Sequence, residues 1–247
     1  MKNKILFLGG SSLLAHSWCN ELIDKDQVII GIHNRPSELD GFNTVSINFN
    51  NLEKQLRELN VETVINCIGY TNVENCEINP EKANEINVEL PSLVSQVCKS
   101  LLIKLVHIST DHLYDGKIKN CNETTKVTPL NIYAKTKYEG ETKVLEINPD
   151  ALVIRTNFYA FGPTYKKSFS DFIIDNLKLK RNISLFSDVY YSPILVSELA
   201  RAIEKLIKKK CSGIYNVNSD QRISKLDFGI KIASEFSLNK KLINSVS

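Results

Sequence analysis

An α/β fold built on a doubly wound parallel sheet is predicted by three features of this sequence. Short β-branched runs alternate with longer amphipathic segments, and the connections between them are brief. The first run turns into a helical pattern through a glycine pair, in "KILFLGGSSLLA" at residues 4–15. Ligands of such sheets bind beyond the carboxyl ends of the strands, so the loops that follow each strand are where chemistry is expected.

The strand-like runs are Ile5–Leu8, Val28–Ile32, Thr44–Ile47, Thr63–Cys67, Lys104–Ile108 and Leu152–Arg155, with a late one at Ile214–Val217. Helical patterns fill the intervals. The clearest places Ala83, Ile86, Leu90, Leu93, Val94 and Val97 on one face. The opening stretch also has the outline of a secretory signal, a lysine before an apolar run. The polar break Gly9–Ser12 interrupts that run, and cleavage would remove the first strand of an otherwise complete alternation, so the strand reading is preferred.

Composition narrows the function. The 247 residues suffice for one large domain, or for one with a smaller appendage, and a 43% hydrophobic, 24% charged content is that of a soluble globular protein. A net charge of +3, with no long basic run carrying aromatics, gives no footprint for nucleic acid. Lys208, Lys209 and Lys210 follow the apolar face Leu199, Ala202, Ile203, Leu206 and Ile207, as solvated cations at a helix C-terminus do. The six cysteines (Cys19, Cys67, Cys76, Cys98, Cys121 and Cys211) contain no C-x-x-C pair and suit the reduced thiols of a cytoplasmic protein. No apolar run approaches the roughly 18 to 20 residues that span a bilayer.

In a dinucleotide-binding turn one glycine permits the bend, a second lets backbone approach the pyrophosphate, and a third lets helix pack on strand. Gly9 fills the first role and Ala15 is an accepted variant at the third, but Ser12 replaces the second. Its Cβ pushes a phosphate outward, while its hydroxyl can donate one hydrogen bond. The helix start still offers free N–H groups to an anion, making Gly9, Ser11, Ser12, Leu13 and Leu14 candidate contacts. After the second strand come His33, Asn34 and Arg35, with no acid to hold ribose hydroxyls. Arg35 can pair with a 2′-phosphate bidentately, so NADP(H) is expected ahead of NAD(H), which stays open. The plainer reading makes His33 and Arg35 polar loop residues.

"VHISTDHLYDG" (106–116) closes a strand, and "PLNIYAKTKYEGE" (129–141) follows with a helical pattern. Tyr133 and Lys137 are four apart and so share one helix face, where an ammonium would lower the tyrosine pKa from about 10. Tyr133 then suits proton donation to a carbonyl oxygen as hydride reaches its carbon. Thr110 could hydrogen-bond the same oxygen, and Lys137 could hold the nicotinamide ribose. His107, Ser109, Asp111 and His112 in the same stretch raise a hydrolase triad or a metal site. No glycine elbow surrounds the serine, and neither H-E-x-x-H nor C-x-x-C is present, so no metal ligand is expected.

These motifs, with "VINCIGYTNVENCE", "ANEINVELP", "VIRTNFYAFG" and "YSPILVSELARAI", resemble the dTDP-4-dehydrorhamnose reductase family of extended short-chain dehydrogenase/reductases over nearly the whole chain. The resemblance implies a Rossmann-type NAD(P)-binding fold with Thr110, Tyr133 and Lys137 in the catalytic positions. It also implies that Cys67, Ile68 and Gly69 line the cofactor, that Asn48 and Phe49 lie near the adenine, and that Thr156 to Phe158 lie beside the nicotinamide. Asn87 matches a helix asparagine that buttresses. Residues 1–157, completed by about 188–217, would form the NADP-binding domain, and 158–187 with 218–247 a smaller substrate-binding portion.

The implied activity is NADPH-dependent reduction of a nucleotide-linked 4-keto-6-deoxy sugar, with hydride from nicotinamide and a proton from Tyr133, as in dTDP-rhamnose and surface-polysaccharide synthesis. His112 stands where these reductases usually carry tyrosine. The family usually continues for several dozen residues past "LINSVS", so the substrate lobe is expected either to be unusually open or to continue outside these residues. Dehydratases need an acidic pair after the threonine, and Asp111 is followed by His112 instead. Two alternatives stay open: a sugar-nucleotide epimerase using the same three residues, and a non-catalytic NADP-binding regulatory subunit like that of methionine adenosyltransferase. A homodimer is compatible with the sequence.

Overall fold

The computed structural model describes residues 4–21, 25–33 and 35–247. Its centre is a 7-stranded sheet of β1 (Ile5–Leu8), β2 (Val28–Ile32), β3 (Asn43–Ser46), β4 (Thr63–Asn66), β5 (Lys104–Ile108), β6 (Leu152–Arg155) and the strand Gly213–Asn216. Every neighbouring pair is parallel. From one edge the order runs Gly213–Asn216, β6, β5, β4, β1, β2, β3. Each strand lies within one residue of its expected position.

Both faces of the sheet are covered, which is why the strands read as nearly continuous apolar runs. Phe7, Ile30, Ile65, Val106 and Ile154 point to one face, against Leu14 and Trp18 of helix Leu13–Glu21 and Leu199 and Ile203 of helix Val196–Lys208. Leu6, Leu8, Ile29, Val64, Leu105 and Val153 point to the other, against Leu52 and Leu56, Val94 and Val97, and Val144. Burial of each such side chain contributes about 1.5–3 kcal/mol. The order reverses at β1, which lies between β4 and β2, and this switch point opens a crevice beyond the carboxyl ends of β1 and β4.

The helix expected through Ala83 and Val97 is not continuous. It runs as Pro80–Asn84, a π-helical turn Glu85–Glu89, and Leu90–Ser100. Pro91 supplies the reason: it has no N–H for the Asn87 carbonyl four residues earlier, and its ring crowds that oxygen. The ladder widens by one residue, and Leu90 N–H donates to Glu85 instead.

Three short pairings lie outside the main sheet: Phe158–Tyr159 with Ile194–Leu195, Tyr190–Tyr191 with Ile223–Ser224, and Ile183–Phe186 with Ile243–Val246. Ile173, Leu177, Ile183, Leu185, Phe228 and Ala233 form a separate core there. Lys208, Lys209 and Lys210 are exposed at the end of their helix. No helix among the described residues is long and apolar enough to cross a membrane.

Candidate active site

The β1 turn is built on adjacent glycines. Gly9 takes φ +82°, and a Cβ there would lie 2.9 Å from Ile68 Cγ1. Gly10 sits so close to β2 that a Cβ would come within 2.1 Å of Ile30 Cγ2. Both donate their N–H to Gly31 O, at 3.2 and 2.9 Å. Gly10 thus lets the turn pack closely against β2. Ser12 has another use: its Oγ accepts from Ala15 N–H at 3.1 Å, capping the helix that begins at Leu13.

Beyond this turn lies a cleft of about 380 Å³. Thr110, Tyr133 and Lys137 all line it, with Gly9, Ser11, Ser12, Leu13, Leu14, Arg35, Cys67, Ile68, Gly69, Thr156 and Phe158. Of the other expected contacts, His33 packs its ring against Phe49 and lies with Nδ1 2.9 Å from Ile47 O. Asn48 caps the turn Phe49–Asn51 through Asn50 N–H. These three are not among the cleft-lining residues. Asn34 lies outside the described residues.

Thr110 follows β5, its hydroxyl accepting from His112 N–H at 3.2 Å and lying beside the Tyr133 phenol, whose pKa it pulls down. Tyr133 is 8% exposed. Its pKa is pushed up to about 12 by burial, against the pull of Thr110. This corrects the expectation that Lys137 lowers it. Lys137, 3% exposed, instead gives its ammonium to Ile108 O at 2.7 Å. Its own pKa is held down to about 8 by burial, against the carboxylate of Glu141. Desolvation penalises phenolate and ammonium alike and is the largest cause of both shifts.

Sequence reasoning missed Thr71, Ile108, Ser109 and Lys166, which also line the cleft. The first three adjoin quoted motifs, whereas nothing local marks Lys166. His112 also lines it and sets its ring edge-on to Tyr133 at 5.8 Å. Asp111 accepts from Asn157 Nδ2 at 3.0 Å, and burial raises its carboxyl despite the neighbouring His112. His107 is buried beside Asn66 (3.3 Å), and burial together with the Lys137 charge keeps it neutral.

Two supports hold the Tyr133 helix, Ile132–Ile147. Asn87 in the π turn is fully buried, accepts from Tyr70 N–H at 2.8 Å, and donates to Tyr70 O and to Thr136 Oγ1. Its carbonyl approaches the helix so closely that a Cβ on Gly140 would lie 2.0 Å away. At the next turns Glu141 receives Arg155 Nε on both oxygens at 3.1 Å and Arg155 Nη2 on Oε1. Arg155 Nη1 donates onward to Tyr114 Oη at 2.9 Å. The fifth strand's end, the Tyr133 helix and β6 are thereby held in one frame.

The doubly wound sheet, with a threonine, a tyrosine and a lysine gathered at its carboxyl edge, has the architecture of the extended short-chain dehydrogenase/reductases. The model of the RmlD substrate binding domain family matches residues 3–247, and the chain belongs to that family. It is 33% identical over 194 residues to a probable low-salt glycan biosynthesis reductase, Agl14, of Haloferax volcanii, covering 77% of this chain. The match spans 65% of that relative, so under two thirds of its length. Among solved structures, a hypothetical dTDP-4-dehydrorhamnose reductase from Sulfolobus tokodaii superposes with a TM-score of 0.84 at 30% identity, covering 98% of this chain and 85% of that one. The dTDP-4-dehydrorhamnose reductase of Bacillus anthracis, solved with NADP, gives 0.84 at 25% identity, covering 100% and 85%.

Proposed function

We propose that this protein is an NADPH-dependent reductase of a nucleotide-linked 4-keto-6-deoxy sugar, with Tyr133 as proton donor. The observation that carries the reading is the convergence of Thr110, Tyr133 and Lys137 on the cleft that the glycine turn opens. The residues suit a dinucleotide. The turn residues Gly9, Ser11 and Ser12 line the cleft at the start of helix Leu13–Glu21, where helix N–H groups can meet a pyrophosphate. Ser109 Oγ and Thr156 Oγ1 are buried without a protein partner. Arg35 lines the cleft and offers a guanidinium to a 2′-phosphate. NADPH supplies the hydride when bound, and a relative solved with NADP supports that choice, with NADH a second donor.

Thr110 and Tyr133 orient the substrate carbonyl through its oxygen. Tyr133 Oη gives its proton to that oxygen as negative charge develops there. A phenol raised to about 12 keeps its proton throughout the physiological range, so the donor is loaded before each turnover. Lys137 holds the ribose and supplies positive charge, which it retains below about pH 8. In this reading residues 1–157 with about 188–217 bind cofactor, while 158–187 and 218–247 receive the sugar. A cytoplasmic setting is supported by the six cysteines, all of them free thiols.

The test is NADPH oxidation with a dTDP- or UDP-linked 4-keto-6-deoxy sugar. Turnover with one hydride transferred per sugar is expected. Tight NADPH binding without turnover of any keto sugar would favour a binding subunit. Solvent-proton exchange next to the carbonyl without NADPH consumption would favour an epimerase.

A further inference from the structure

The segment 161–168 crosses from the end of β6 towards the β1 turn and is tied down along its length. Ser17 Oγ donates to Phe161 O at 2.9 Å. Thr164 donates through its N–H and its hydroxyl to the two oxygens of Glu38. Tyr165 Oη donates to Ser11 O at 3.2 Å. The strap turns sharply: Lys166 N–H donates to Pro163 O at 3.0 Å, and a Cβ on Gly162 would lie 2.0 Å from Lys166 O. This turn sends Lys166 into the cleft that Arg35 also lines.

Two cations that line one cleft without an anion repel each other and lose solvation, and an anion bound there offsets both costs. Among the described residues neither Arg35 nor Lys166 makes an ion pair. Glu38, on the same loop as Arg35, has both oxygens committed to Thr164. We propose that Lys166 is the second cation of a 2′-phosphate site, reaching from the strap to Arg35, so that NADPH is gripped from both sides of the cleft. The inference rests on the NADPH reading above. It is supported by the Lys166 ammonium itself, which burial and the charge of Arg35 hold below its ordinary pKa. A phosphomonoester dianion between the two would relieve that repulsion. NADH, with a 2′-hydroxyl there, would not.

The experiment compares affinities of NADPH, NADH and 2′,5′-ADP for the wild type, Lys166→Met, Lys166→Arg and Arg35→Ala. Lys166→Met should weaken NADPH and 2′,5′-ADP by about 10- to 100-fold, the range of one charge-assisted hydrogen bond, while NADH changes less than about twofold. The loss should shrink as salt screens the pair, and Lys166→Arg should keep most of the affinity. If the wild type prefers NADPH and Lys166→Met keeps that preference, or loses both cofactors equally, the second cation is overturned and Arg35 stands alone. If the wild type binds NADPH and NADH equally, the 2′-phosphate reading of both residues is overturned.

Discussion

Replacing Glu141 by glutamine tests how the Tyr133 helix is held. The substitution keeps the volume and removes only charge. Glu141 and Arg155 have side chains 1% and 3% exposed, so the guanidinium would be left buried beside a neutral amide. Breaking a buried pair from one side costs about 3–5 kcal/mol, against total stabilities of about 5–15 kcal/mol. For a chain of this size the melting temperature should fall by about 6–20 °C. Urea unfolding should show the same loss as a lower midpoint with an unchanged slope. The double variant Glu141→Leu, Arg155→Met removes both charges and should recover most of that stability. Glu141 also lies one helical turn beyond Lys137 and raises its pKa, so Glu141→Gln should move any alkaline limb of activity to lower pH. A loss under about 1 kcal/mol, typical of an exposed pair, or a double variant no better than the single, would refute the reasoning.

The proposed reductase activity should decline above about pH 8, as Lys137 loses its proton, and a pH–rate profile checks this. Stability should move the opposite way. Lys137 and Lys225 are both depressed to about 8 from 10.5, so between those values the unfolded chain binds more protons and their contribution to stability rises with pH. Denaturant titrations across that window read the sign. Gly10→Ala should destabilise by about 1–3 kcal/mol, because its Cβ would meet Ile30 Cγ2 at 2.1 Å. Ser12→Ala should cost about 1 kcal/mol through the lost cap, with a smaller effect on NADPH affinity.

The inner strands were legible because each is a short apolar run buried on both faces, while the edge strands Asn43–Ser46 and Gly213–Asn216 are more open, and all boundaries fall within a residue of expectation. The meeting of Thr110, Tyr133 and Lys137 at one cleft was legible because Tyr133 and Lys137 share a helix turn and Thr110 ends a strand. Other features depend on approaches that no spacing encodes. The π turn at Glu85–Glu89 follows from Pro91 crowding the Asn87 carbonyl, although the periodic apolar face reads as one helix. Lys166 enters the cleft only because the strap is tied to Glu38 and Ser11. The direction of the Tyr133 shift was misread because spacing reveals a neighbouring charge but not burial, and burial dominates. Ser12 reads as a lost glycine because spacing does not show that its hydroxyl caps the helix through Ala15 N–H.

The most direct test of Tyr133 as proton donor is its replacement by phenylalanine, which keeps the ring and removes only the oxygen. General acid catalysis is worth about 100- to 10,000-fold, so keto-sugar reduction should fall by that order while NADPH affinity is nearly unchanged. A phenylalanine variant that reduces the sugar at the wild-type rate would contradict the account and place the proton elsewhere, with His112, edge-on to the same ring, the next residue to replace.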